Sequence, residues 1–225
     1  MDGLTLVFDL DGTLVDTAPD LICATNHVLG LRNLVPVEGD EVRPYVSFGA
    51  RRMIEHALSL RSHQLPPEEV DHLLGEFLDF YVDNIAVESR PFELVPELLD
   101  AFAGRGLRLA VCTNKQEEMS RRLLTELGLA DRFQAICGRD TFPVCKPHPD
   151  HLTGAISRSG GSAVRAVMVG DSETDVRTAR AAKIPIIGVT FGYSDVSMRD
   201  LQADAVIDHY AEFEGALAQI LPRLS

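Results

Sequence analysis

Short apolar runs punctuate the chain, and each ends at a polar or glycine position. Leu6-Val7-Phe8 comes first; others follow at 107–112, 133–137, 166–169 and 184–189, with a weaker one at 205–207. Runs this short, without alternation, are what strands buried on both faces of a parallel sheet require. Between them apolar residues return every third or fourth position, predicting helices near 94–105, 116–127, 149–159 and 172–182 and from about 210 onward.

The stretch 16–84 has a different pattern. Met53, Ile54, Ala57 and Leu58, then Val70, Leu73, Leu74, Phe77, Leu78 and Tyr81, keep helical spacing. They predict helices at 49–60 and 66–84, after a first one at 17–32. Thr17-x-x-Asp20 matches a capping box, with Pro19 in the first turn. Residues 33–39 read as a connector, and no strand is predicted here. Strands alternating with helices elsewhere imply a doubly wound sheet. The expected fold is α/β: a Rossmann-like doubly wound parallel sheet core, residues 1–15 and 85–225, carrying an inserted all-helical cap domain, residues 16–84.

Composition narrows the partners. The 225 residues carry a net charge of −13, which argues against nucleic-acid backbones and anionic membranes. No apolar window reaches the eighteen or so residues of a membrane span. The start of the chain lacks the basic region of a secretory signal. Cys23, Cys112, Cys137 and Cys145 form no CxxC pair, so a reducing, cytoplasmic setting is expected. Cys112 and Cys137 lie in apolar runs and read as small buried hydrophobes, whereas Cys145 stands in a loop beside Lys146. The oligomeric state stays open between monomer and homodimer.

The chemistry gathers where the apolar runs end, which in this architecture is where ligands bind. Asp9 and Asp11 end the first run, and Gly12 follows. On extended backbone, positions two apart share a face, so both carboxylates would point into one site and call for a hard cation such as Mg²⁺. The alternative is a polar strand end followed by a turn. Thr113 and Asn114 end the second run; Thr113 reads either as the cap of Thr113-x-x-Gln116 or as a phosphate-holding hydroxyl at a helix start. Lys146, between prolines in Cys145-Lys146-Pro147-His148-Pro149, is either a solvated loop lysine or a fixed cation for an anion. Asp171 follows an apolar strand and a glycine. Asp175 lies one helical turn on and also completes a capping box with Ser172. His148 and His151 read as loop and helix-start residues.

Together these segments resemble the haloacid dehalogenase-like hydrolase superfamily. The matching text is DLDGT at 9–13, VCTNK at 111–115, CKPHPD at 145–150 and VGDSETD at 169–175. RPYVSFGARR at 43–52 is similar to the phosphoglycolate phosphatase branch. The resemblance implies a Mg²⁺-dependent phosphomonoesterase acting on a small phosphate ester. Asp9 would be the nucleophile and Asp11 the general acid and base. Asp9, the backbone carbonyl of Asp11 and Asp171 would hold Mg²⁺, with Asp175 supporting. Thr113, Asn114 and Lys146 would bind phosphoryl oxygens, and Gly12 and Thr13 would also face the substrate. Gly49 and Arg51 are candidates for substrate contact, against a plain turn and a solvated helix-start arginine. Phosphonate-cleaving relatives use a lysine in the cap, and residues 16–84 contain none. Sugar-phosphate mutases share the paired aspartates and stay as an alternative.

Overall fold

The computed structural model describes residues 3–224. In chain order the elements are β1 (Thr5–Phe8), β2 (Val15–Asp16), α1 (Ala18–Gly30), α2 (Gly39–Val42), α3 (Ala50–Leu60), α4 (Pro67–Asp83), β3 (Arg90–Pro91), α5 (Val95–Gly104) and β4 (Arg108–Cys112). They continue with α6 (Glu117–Glu126), β5 (Ala135–Cys137), α7 (Pro149–Arg158), β6 (Ala166–Gly170), α8 (Glu173–Ala182), β7 (Ile186–Val189), β8 (Ala205–Ile207) and α9 (Phe213–Ile220). Two compact units result, one of Met1–Val15 with Pro91–Ser225 and one of Asp16–Arg90.

The first unit is an α/β fold around a six-stranded sheet, ordered β5-β4-β1-β6-β7-β8. Every pairing in it is parallel. The chain winds outward from β1 through β4 and β5, then returns to β6 on the other side of β1. The switch point therefore lies between β1 and β6, where open sheets of this class form their ligand crevice. Phe8 pairs with both Val111 and Val169. The three strands thus end nearly level, and the residues that follow them emerge along one edge of the sheet.

The two faces of β1 take different cores, because neighbouring side chains on a strand point to opposite sides. Phe8 packs toward Phe213, with ring centroids 6.2 Å apart, and Phe213 lies 5.3 Å from Phe102. Val7 joins Leu152, Ile156, Met168, Val176 and Ala179 in a second cluster. Each such buried side chain contributes roughly 1.5–3 kcal/mol of transfer free energy. That is enough to hold the strand ends, and the polar groups on them, in place.

The second unit is helical. Its first helix departs from the expected capping: the Thr17 side chain makes no cap hydrogen bond. Asp20 instead accepts from the Glu88 N–H at 3.0 Å and from the N–H and hydroxyl of Ser89 at 2.8 and 2.7 Å. Those bonds bind the stretch after α4 back to α1, so the unit runs to Arg90 and not to residue 84. Residues 33–38 do form a connector, but α2 begins at Gly39, one residue inside the expected connector, and a 3-10 turn at Arg43–Phe48 follows it directly. Both are too short to leave a periodic signal. The two-residue strands β2 and β3, which pair with each other, went unpredicted for the same reason.

Candidate active site

Asp9 leaves β1 still in the sheet ladder, its N–H donating to the Val169 carbonyl at 2.9 Å. Its carboxylate is buried. Oδ1 accepts from the Leu10 N–H at 2.7 Å and from Lys146 Nζ at 2.9 Å. The same ammonium donates to Asp175 Oδ1 at 2.7 Å. Asp171, directly after β6, accepts from the Thr13 hydroxyl at 3.0 Å and from the Tyr193 N–H at 2.8 Å. Asp9, Asp171 and Asp175 each place a carboxylate oxygen within 4.8 Å of the others.

This concentration of charge is visible in the acidities. Burial, against the pull of Lys146, pushes Asp9 up to about 7. Burial and the charges of Asp175 and Asp9 push Asp171 up to about 8. Burial opposes the charge on Lys146, yet Asp175 and Asp9 outweigh it and hold the ammonium above the usual lysine range. Three buried acids against one lysine leave a negative pocket whose donors are carboxylate oxygens. That donor set fits a hard dication such as Mg²⁺.

Asp11 is not part of this trio. β1 ends at Phe8, so the two-residue period does not extend to Asp11. The chain turns at Gly12, whose φ is +80°. The Asp11 carboxylate instead accepts from Lys115 Nζ at 2.9 Å. Gly12 and Thr13 both lie against Asp171. A β-carbon on Gly12 would stand 2.6 Å from Asp171 Oδ2, and the fully buried Thr13 directs its hydroxyl to the same carboxylate. The Thr13 carbonyl in turn accepts from the buried Tyr210 hydroxyl at 2.8 Å.

Thr113 is buried at the end of β4 and donates its N–H to the Cys137 carbonyl at 3.0 Å. It is not the helix cap: α6 starts at Glu117, with Gln116 in the capping position. Its hydroxyl accepts from the Lys115 N–H at 3.2 Å. Asn114 Nδ2 donates to the Lys146 carbonyl at 3.1 Å, tying the segment after β4 to the loop before α7. Asp175 satisfies both of its readings. Oδ2 accepts from the N–H and hydroxyl of Ser172 as a capping box, while Oδ1 holds Lys146. The thiol of Cys112 is pushed up by burial, and that of Cys137 likewise, to about 11.

Three contributors were not assigned from the sequence. Lys115 is one. His151 is another: its Nδ1 accepts from the Lys146 N–H at 3.1 Å, and its Nε2 lies 3.0 Å from the Gly138 carbonyl. The proton therefore sits on Nε2. Burial and the Lys146 charge lower this imidazole to about 4, so it stays neutral. The third is Gly192, where a β-carbon would come 2.3 Å from Asp171. A glycine just after the seventh strand was the available signal. In the helical unit, Gly49 precedes α3 with φ +88° and open space around it. Arg51 is held there by Glu55, at 3.1 Å, and by Asp71.

Residues 6–189 match the family model described as haloacid dehalogenase-like hydrolase. A phosphoglycolate phosphatase of Mesorhizobium japonicum is 48% identical over 97% of this chain and 96% of its own length. An N-acetylmuramic acid 6-phosphate phosphatase of Pseudomonas aeruginosa is 36% identical over 96% and 95%. A solved structure described as a predicted phosphoglycolate phosphatase from Haemophilus somnus superposes with a TM-score of 0.88 at 28% identity, covering 96% of this chain and 98% of that one.

Proposed function

The chain belongs to the haloacid dehalogenase-like hydrolases, and from that premise we propose that it hydrolyses a small phosphate monoester, 2-phosphoglycolate first among them, to the alcohol and phosphate. The observation that carries the reading is Asp9. It is a buried carboxylate at the end of the central strand, bonded to a lysine that it shares with Asp175 and close to Asp171.

In this reading Asp9 attacks phosphorus and forms an aspartyl-phosphate, which splits one slow hydrolysis into two faster displacements. Its Oδ1 already takes two hydrogen bonds, which leaves Oδ2 as the attacking oxygen. Asp11 gives a proton to the leaving oxygen and later takes one from the water that releases phosphate. Lys146, Thr113 and Asn114 hold the phosphoryl oxygens, and His151 positions Lys146 from behind. Asp9, Asp171 and the backbone carbonyl of Asp11 would hold Mg²⁺. Asp175 acts in support, anchoring Lys146 and capping α8 through Ser172. The ion, when bound, shields the substrate dianion from the carboxylate that approaches it. Gly49 and Arg51 remain candidates for substrate contact; Arg51 would have to release Glu55 or Asp71 to serve.

Phosphate release from a panel of phosphorylated metabolites, with and without Mg²⁺, tests the proposal. The panel includes 2-phosphoglycolate, N-acetylmuramic acid 6-phosphate and a sugar 1-phosphate. The highest kcat/KM is expected on 2-phosphoglycolate, with loss of turnover in chelator. Isomerisation of the sugar phosphate without free phosphate would point to a mutase instead.

A further inference from the structure

We propose that Lys115 recognises a second anionic group on the substrate, a carboxylate carried by the leaving alcohol, and so selects acid phosphates over neutral ones. The inference rests on the phosphatase reading above and adds the residue that sets the substrate class.

The chain has only three lysines, Lys115, Lys146 and Lys183, and relies on arginine for its other permanent cations. Two of the three stand in this site. Lys146 is committed to Asp9 and Asp175, on the side where phosphorus is attacked. Lys115 is paired with the other aspartate: its side chain is 8% exposed and its Nζ lies 2.9 Å from Asp11. Asp11 is the group that meets the leaving oxygen. Whatever is bonded to that oxygen must therefore pass beside the Lys115 ammonium. In 2-phosphoglycolate the carboxylate is one carbon from the leaving oxygen, well within reach.

The mount of Lys115 is held on both sides. Its N–H donates to the Thr113 hydroxyl at 3.2 Å, and its carbonyl accepts from the Arg139 N–H at 2.9 Å. An ammonium has three donors on a flexible stem, so it can hold Asp11 and a substrate carboxylate together. Electrostatics require such a cation. A carboxylate entering beside Asp9, Asp11, Asp171 and Asp175 would be repelled without a positive charge on the leaving-group side.

The test compares 2-phosphoglycolate with 2-hydroxyethyl phosphate, which has the same number of carbons and a neutral end. The proteins are wild type, Lys115→Met, Lys115→Gln and Lys115→Arg, each checked for an unchanged melting transition. The ratio of kcat/KM for acid over neutral ester is expected to fall about 30-fold in Lys115→Met, chiefly through KM for the acid, and to recover largely in Lys115→Arg. Lys115→Gln replaces the methionine variant if that one does not fold. Equal losses on both esters would overturn the inference and leave Lys115 serving Asp11 alone. A wild type that hydrolyses neither ester would overturn the 2-phosphoglycolate reading on which the inference rests.

Discussion

A β-carbon on Gly12 would stand 2.6 Å from Oδ2 of Asp171, nearer than a β-carbon approaches another atom. The glycine also holds φ at +80°, a conformation that costs other residues about 1–2 kcal/mol. Gly12→Ala is therefore expected to lower the melting temperature by several degrees and kcat/KM by more than about 100-fold, since Asp171 must move. Calorimetry and steady-state kinetics on the same preparation check both, and a change within a few-fold in kcat/KM would show that the contact is not used.

Asp9→Asn removes the attacking oxygen while keeping the shape of the side chain. Turnover should fall by at least about 10⁴-fold. The melting temperature measured in chelator should hold or rise, because one of three crowded buried acids becomes neutral. Asp175→Asn should behave differently. It weakens a lysine anchor and the α8 cap together, so a lower melting temperature is expected as well.

Mg²⁺ binding should release protons near neutral pH. Burial and mutual repulsion push Asp9 and Asp171 up to about 7 and about 8, so near neutral pH the pair holds a share of protons that a bound dication must displace. Affinity should rise with pH across this range. Calorimetric titration in buffers of different ionisation enthalpy reads the protons directly, and buffer-independent heats would contradict the charge picture.

His151 supplies a stability term with a defined sign. Its folded value is about 4, against about 6.5 when unfolded. Above about pH 6.5 both states are neutral and the term is fully present. As pH falls toward 4 only the unfolded chain takes the proton, so stability is lost through that window, by about 2–3 kcal/mol. The raised acids Asp9 and Asp171 act oppositely, losing stability as pH rises toward 8. The term is therefore read as a difference: denaturant melts of wild type and His151→Gln at pH 5 and pH 8 should show the steeper acid loss in wild type. Parallel profiles would place the imidazole outside this account.

The strands and most helices were legible because their signals are local. Leu6-Val7-Phe8 is apolar whatever surrounds it, and the turn at Gly12 needs only its own backbone. Asp9, Thr113, Lys146 and Asp171 could be picked out for the same reason, each being a polar residue that ends an apolar run or stands between prolines. The order of strands, five running outward from β1 on two sides, then levels those ends.

Which partner each group takes was decided only in the folded chain. Asp20 looked like the capping-box partner of Thr17 and binds Ser89; Thr113 could be read as a cap or as a phosphate-holding hydroxyl, and it is not the cap. Asp11 looked like the companion of Asp9 and pairs with Lys115, far along the chain. His151 looked like a helix-start residue and holds the backbone of Lys146. The amino-acid sequence by itself determined where strands end and which chemistry they carry, because burial of apolar runs is a property of neighbours in the chain. Only the tertiary structure decided how those groups pair, because a hydrogen bond or ion pair forms within about 3 Å, and distances that short between remote residues exist only once the sheet has brought its edges together.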